Sequence, residues 1–281
     1  MAGCNWERIG IVDIFKDAFR FARENLGILA IIALLGHVLT LAQSTYEFIF
    51  GQELSNFTLF LLAVAELFIN VWVRTALITS VASLRFGNQF SLAEMKKAVS
   101  SKYWGVFVTI LKWAFFILII ALPIYFVALL LSLAIPNDLL IILQLSILGL
   151  LFYLSMRFQF IIHSAVLEES AFGAFLNSSR LMKGRFWKVA GATLAFNIIF
   201  AIIPGIYFFL DKTQGLSNLP AWGTYLLSIA YSLYGVAYMV FEVSFSTLLY
   251  LRLKALDENS ARVLSGVSID KQDSANGGHH E

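Results

Sequence analysis

The stretch SAFGAFLNSSRLMKGRFWK, residues Ser170–Lys188, contains the pattern on which the fold prediction rests. Its first part places apolar side chains on one side of a helix, at spacings of three and four residues, and polar ones such as Asn177 and Arg180 on the other. Gly184 can end this helix, because glycine adopts the left-handed cap conformation without strain. The letters RFWK mix cations with rings, as at a lipid–water boundary, and residues 189–210 are then long enough to cross a bilayer. The unit is therefore a surface helix, a basic–aromatic anchor and a spanning helix.

The composition indicates a polytopic membrane protein. Of the 281 residues, 59% are hydrophobic and only 14% are charged, whereas soluble domains carry about 25% charged residues. The mean hydropathy is +0.79. The single cysteine, Cys4, rules out an internal disulfide bond and a cysteine-rich metal site. We expect no metal and no cofactor.

The apolar segments predict an all-α integral membrane protein with six transmembrane helices. Because a helix of about 20 apolar residues crosses the hydrocarbon, we place the spans at Leu26–Tyr46, Phe57–Leu84, Gly105–Ile135, Leu139–Leu167, Val189–Leu210 and Ala221–Leu251. Amphipathic surface helices are predicted at 11–24, 91–102 and 171–183. From Asp257 the chain is polar and loses its periodicity, so residues 257–281 are predicted to be a disordered tail after a membrane domain of residues 1–256.

The positions of the cations predict the orientation. Sixteen of the 20 lysines and arginines fall in the N-terminal region, in the two loops that contain surface helices and in the C-terminal region, four in each. Basic residues concentrate on the cytoplasmic side of membrane proteins. We therefore expect both termini and all three surface helices to be cytoplasmic, in a plasma (inner) membrane.

Matching residues recur at intervals of about 80 along the chain. Arg23, Lys102 and Arg185 open the first helix of successive hairpins. This spacing predicts three hairpin repeats in one orientation about a pseudo-threefold axis, each preceded by a surface helix, over residues 11–88, 89–168 and 169–256. The alternative is that membrane hairpins resemble one another without being repeats.

Two short motifs resemble a known group of membrane proteins. The first consists of Val166, Leu167, Glu168, Gly173, Ala174, Ser178, Leu181, Lys183, Gly184 and Trp187, and the second is TLLYLR at Thr247–Arg252. Both are similar to the membrane domain of some bacterial glycerophosphodiester phosphodiesterases and to its poorly characterised stand-alone relatives. The resemblance implies a multi-span architecture. It carries over no catalytic residue, because the phosphodiesterase chemistry of that group belongs to a separate soluble barrel domain.

Three ionisable side chains are predicted near the bilayer midplane. Arg74, Arg157 and Glu242 each lie ten or eleven residues before the cytoplasmic end of the second helix of a repeat, which is about 15 Å along a helix. If the three second helices surround the axis, these charges converge there. Buried charges are costly unless paired or functional.

Two interpretations of this layer remain open. In the structural one, Glu242 pairs with Arg157 or Arg74, and Glu66 pairs with the remaining arginine. In the functional one, the arginines form a net-cationic cavity for an anionic solute or a phospholipid headgroup. Neighbours on the same helix faces complete the candidate site: Glu66 and Asn70 beside Arg74, and Tyr238 beside Glu242.

The surface helices and their anchors favour contact with anionic membrane lipids. The predicted headgroup anchors are Arg23, Lys102, Trp104, Lys183, Arg185 and Trp187. Since no catalytic motif is present, we expect a non-enzymatic protein that engages anionic lipid or a small anionic solute. The alternative is a structural membrane partner of another protein, whose identity the sequence does not indicate. We expect no nucleic-acid partner.

Overall fold

The computed structural model describes residues 11–51, 54–87, 92–132, 137–168, 173–212 and 220–264. These residues form helices and connecting turns, and no strand occurs among them. The helices are α1 Ile11–Glu24, α2 Leu26–Phe50, α3 Asn56–Arg85, α4 Leu92–Ser132, α5 Asn137–Arg157, α6 Ile161–Leu167, α7 Ala174–Met182, α8 Phe186–Lys212 and α9 Ala221–Leu264.

Six segments of this structure are long and apolar enough to cross a membrane. They lie in α2, α3, α4, α5 with α6, α8 and α9. The prediction of an all-α integral membrane protein with six spans is therefore confirmed. The interfacial position of the surface helices and the threefold repeat stay predictions.

The predicted surface helix at 91–102 is not separate from the span that follows it. Its described part and the span form one helix, α4, which runs from Leu92 to Ser132. The second and third surface helices differ in the conformation of the glycine that lies between each of them and the following span. Gly184 has a φ of 72° and separates α7 from α8, as predicted. Gly105 stays helical, and its carbonyl accepts a hydrogen bond from Thr109 at 2.7 Å.

The predicted span Leu139–Leu167 is not one continuous helix, because the chain turns at residues 158–160 between α5 and α6. Side chains from other helices bind the groups released at this turn. The Phe160 N–H donates to Ser178 Oγ at 3.2 Å, and that hydroxyl donates to the Arg157 carbonyl at 3.3 Å. The two bonds to Ser178 offset the loss of helical ones. The Gln159 side-chain amide donates to Thr193 Oγ1 at 2.9 Å and links the turn to α8.

The predicted boundary between membrane domain and tail falls inside a helix. α9 continues to Leu264, eight residues beyond residue 256. The extension is held to α7, because Arg180 Nε lies 3.1 Å from Asp257 Oδ2. The remainder of the predicted tail, residues 265–281, lies outside the described residues.

The core lies where α9 packs against α1, α2 and α3. α1 contributes the apolar face that its sequence predicts, with Ala18 and Ala22 fully buried. Its Phe15 ring stacks on Phe245 of α9, with centroids 4.9 Å apart. An ion pair between Asp17 and Arg252 joins the same two helices. α1 is thus a packed element of the bundle.

Candidate functional site

The structure pairs two of the three predicted midplane charges. Arg74 Nη1 donates to Glu242 Oε2 at 3.2 Å, across the contact between α3 and α9. This is one of the two pairings that the structural interpretation allowed. Each charge neutralises the other, so Arg74 is not available as a free cation.

Arg157 does not join this pair, so the expected convergence of three charges is wrong. Its guanidinium donates to Ser179 Oγ at 3.0 Å and to the Tyr153 hydroxyl at 2.7 Å. The helix that carries it, α5, packs against α4, α7 and α8, whereas α3 and α9 pack on each other. Helical spacing places each charge along its own helix, but it contains no information on which helices are neighbours.

Glu66 does not form a salt bridge with any arginine that the structure describes either. Its Oε1 accepts a hydrogen bond from Thr40 on α2 at 3.3 Å. Asn70, one turn further along α3, lies where α3 comes close to α2. Gly36 of α2 permits this contact, because a Cβ at that position would lie 3.2 Å from Asn70 Oδ1. Asn70 therefore contributes to helix packing, while Glu66 faces a different environment.

That environment is a cavity of about 550 Å³ between α2, α3, α8 and α9. Its lining consists of His37, Thr40, Glu66, Asn197, Phe200, Ala201, Pro204, Tyr231, Ser232, Tyr234, Gly235 and Tyr238. Three tyrosines at helical spacing line the α9 side. The described lining contains a carboxylate and an imidazole but no lysine or arginine.

A proline in α8 accounts for the position of one tyrosine. Pro204 lies inside α8 and has no N–H, so the carbonyl of Phe200 lacks its helical donor. The Tyr234 hydroxyl donates to that carbonyl instead. The Tyr238 hydroxyl donates to Asn197 Oδ1 on the same helix at 3.2 Å. Both rings are therefore held by bonds to α8.

A histidine and a glycine close the cavity on the α2 side. A Cβ added at Gly235 would lie 2.6 Å from His37 Cε1, so only glycine admits the imidazole at this place. His37 Nε2 is buried and has no hydrogen-bond partner among the described residues. Glu66 and Tyr238 are predicted from the sequence as polar residues within spans, but helical spacing does not predict that they face one cavity.

The predicted anchor Arg23 belongs to a basic groove. The groove has a volume of about 460 Å³ and is lined by Lys16, Phe19, Arg20, Arg23 and Phe241. All three cations are exposed, and none forms a salt bridge within the described part of the chain. Phe19 and Phe241 are in ring contact, with centroids 4.8 Å apart. The groove thus combines free positive charge with an aromatic floor.

The other predicted anchors differ in their surroundings. Lys102 Nζ donates a hydrogen bond to the Val166 carbonyl at 2.6 Å, so this ammonium links α4 to α6. Trp104 and Trp187 are 65% and 80% exposed. Of the remaining anchors, Lys183 is exposed and Arg185 is half-buried.

Glu168 forms a polar cluster that sequence analysis missed. Its carboxylate accepts hydrogen bonds from Ser164 at 3.1 Å, from Asn177 and from Tyr250, and Lys254 Nζ lies at 3.5 Å. The cluster joins α6, α7 and α9. Burial alone would raise the pKa of Glu168, but the bond from Tyr250, the charge of Lys254 and the bond from Ser164 together hold it below its usual value.

No protein-family model, curated protein or solved structure matches this chain. The resemblance to glycerophosphodiester phosphodiesterase membrane domains therefore stays a prediction. The chemistry available to the chain has to be inferred from the groups that its own fold brings together.

The basic groove and the cavity between the four helices differ in charge. The basic groove between α1 and α9 suits an anion with an apolar neighbour, because three cations border two phenylalanine rings. The cavity between α2, α3, α8 and α9 presents a carboxylate and tyrosines. An anion would be repelled there.

Proposed function

We propose that this protein is a non-enzymatic membrane protein that engages anionic phospholipid. The observation that carries the proposal is the basic groove of Lys16, Phe19, Arg20, Arg23 and Phe241. Its cations suit the phosphate of a headgroup, and its rings suit the adjoining acyl chains.

The pairing of one α1 carboxylate supports this assignment. Asp17 of α1 pairs with Arg252 of α9, so this carboxylate does not neutralise the cations of the groove. Each basic residue near an anionic membrane contributes about 1 kcal/mol to lipid attraction. Three such residues on one exposed face give a clear preference for anionic over zwitterionic headgroups.

The groove is a better candidate than an intramembrane arginine layer. Arg74 is neutralised by Glu242 at 3.2 Å, and Arg157 lies elsewhere, bonded to Ser179 and Tyr153. The nearby cavity contains Glu66 rather than a cation. A small anionic solute would therefore find no net-positive site at this depth.

The proposal predicts lipid-selective binding that depends on the groove. Native mass spectrometry of the detergent-solubilised protein, titrated with phosphatidylglycerol or phosphatidylcholine, should show preferential binding of phosphatidylglycerol. Replacing both Lys16 and Arg20 by glutamine should weaken that binding about 30-fold, since each cation contributes about 1 kcal/mol.

A matched variant separates the groove from net charge. Lys96→Gln with Lys97→Gln removes the same charge from exposed positions of α4 that do not line the groove, and it should leave the lipid preference unchanged. Equal weakening by both double variants would refute the groove as the binding site.

A structural membrane partner is the second candidate. The observation that favours it is the Arg74–Glu242 pair, because paired charges can lock a bundle without binding any solute. In that case the protein should show no phosphatidylglycerol preference, and its loss should disturb a membrane complex rather than lipid content.

We place the protein in a plasma (inner) membrane with both termini in the cytoplasm, and cysteine accessibility tests this orientation. After Cys4→Ser, a cysteine at Ser55, the exposed residue before α3, should react in intact cells with an impermeant maleimide. A cysteine at Lys97 should react only after permeabilisation. The reverse labelling pattern would overturn the positive-inside assignment.

A further inference from the structure

We infer that the cavity between α2, α3, α8 and α9 is a binding site for an organic ammonium cation. The inference is independent of the proposed lipid groove, which lies between α1 and α9 and shares none of its lining residues. The group recognised is a protonated amine or a quaternary ammonium.

The charge of the cavity is the first argument. Glu66 contributes a carboxylate whose partner in the described chain is the Thr40 hydroxyl, at 3.3 Å. With His37 neutral, the described lining has a formal charge of −1, because it contains Glu66 and no lysine or arginine. A carboxylate within a membrane span is costly unless a cation or a functional role accompanies it. A ligand cation supplies the missing charge.

The aromatic lining is the second argument. Tyr231, Tyr234 and Tyr238 lie on one side of α9, with successive ring centroids 6.2 and 6.4 Å apart. Phe200 of α8 meets Tyr238 edge to face at 5.5 Å. Rings of this kind attract ammonium groups through their π faces, most strongly where the contact is shielded from water.

The rigidity of the site is the third argument. Tyr234 and Tyr238 are fixed by hydrogen bonds to Phe200 and Asn197 of α8, so their hydroxyls are already satisfied. The rings therefore need no reorganisation to receive a ligand. The volume, about 550 Å³, is within the range of small-molecule sites, about 300–1,000 Å³.

The ammonium group has two sources with the same chemistry. It can be a free amine or quaternary ammonium from solution, or the headgroup of a zwitterionic lipid such as phosphatidylcholine. Tetraethylammonium chloride is the probe for the first source, and phosphatidylcholine is the probe for the second. Calorimetric titration in lipid-free detergent follows tetraethylammonium, and native mass spectrometry follows the lipid.

We expect saturable binding of at least one probe to the full-length protein. Glu66→Gln keeps the shape of the side chain and the acceptor for Thr40, but removes the charge, so it should weaken binding at least about tenfold. Tyr231→Leu should weaken binding about 3- to 30-fold through loss of a ring, while Tyr231→Phe should keep it.

Glu47→Gln is the matched control. It removes a carboxylate from the same chain outside the cavity, where Gln43 is its partner at 3.0 Å, and it should leave the affinity unchanged. The inference is overturned if neither probe binds saturably, or if Glu66→Gln binds as the wild type does. Lysine and arginine variants of the basic groove should not alter either result.

Discussion

Replacing Glu168 by alanine is expected to lower the free energy of unfolding by about 3 kcal/mol. Its carboxylate is the common acceptor for Ser164, Asn177, Tyr250 and Lys254. The alanine variant leaves several donors unsatisfied and a lysine without its partner, and an unmet buried donor costs about 1–3 kcal/mol. Steric trapping in micelles measures the change.

Glu94→Ala provides the control, because Glu94 is exposed in the first turn of α4 and forms no salt bridge with a described residue. Its loss should change the free energy of unfolding by less than about 0.5 kcal/mol. Equal stability losses in the two variants would show that the Glu168 cluster does not hold α6, α7 and α9 together.

The same cluster predicts a dependence of stability on pH. The pKa of Glu168 is lower in the folded protein than its ordinary value of 4.5. Its contribution is therefore complete above that ordinary value and is lost as the pH falls through the lower, folded one. The wild type should lose stability as the pH falls below about 4.5, and Glu168→Gln should lose less. Parallel curves would contradict the assignment.

The number and order of the spans could be predicted from the sequence because they depend on local properties. Apolar segments of sufficient length specify membrane helices wherever they occur. Similarly, the amphipathic pattern at Ile11–Glu24 predicted α1 with its observed bounds. Gly184 was predicted to end a helix, and it has the required positive φ of 72°. These features follow from short segments alone.

The turn between α5 and α6 could not be predicted in this way. The segment Phe158–Phe160 has no proline or glycine. Its Phe160 N–H is bound by Ser178 Oγ, and its Gln159 side chain is bound by Thr193. These partners come from α7 and α8, far along the chain. A helix break that depends on such contacts leaves no local signal.

The candidate sites depend on helix neighbours in the same way. Glu66 and Tyr238 were identified because they are polar within apolar spans, but their common cavity arises from the packing of four helices. The basic groove requires Phe241 of α9 to meet Phe19 of α1, which are more than 200 residues apart in the sequence. The hydrophobic periodicity and the composition of the sequence do not indicate which helices become neighbours.

Breaking the ion pair between Arg74 and Glu242 is expected to lower the free energy of unfolding by about as much as Glu168→Ala does. Arg74→Met leaves the Glu242 carboxylate without the guanidinium that lies 3.2 Å away. An unpaired charge near the centre of a membrane helix costs about 3 kcal/mol. The single variants Arg74→Met and Glu242→Gln should each lose stability, whereas the double variant should lose less than the sum.

The double-mutant cycle also distinguishes the observed pairing from the one that sequence left open. For Arg74 and Glu242 we expect a coupling energy of about 1–3 kcal/mol. For Arg157→Met with Glu242→Gln, we expect additivity within about 0.5 kcal/mol, because Arg157 bonds to Ser179 and Tyr153 instead. Coupling at Arg157 but not at Arg74 would mean that α5, rather than α3, contacts α9 at this depth. The two cycles share the Glu242 variant, so their difference reports on which arginine is its neighbour and is unaffected by the cost of changing Glu242 itself.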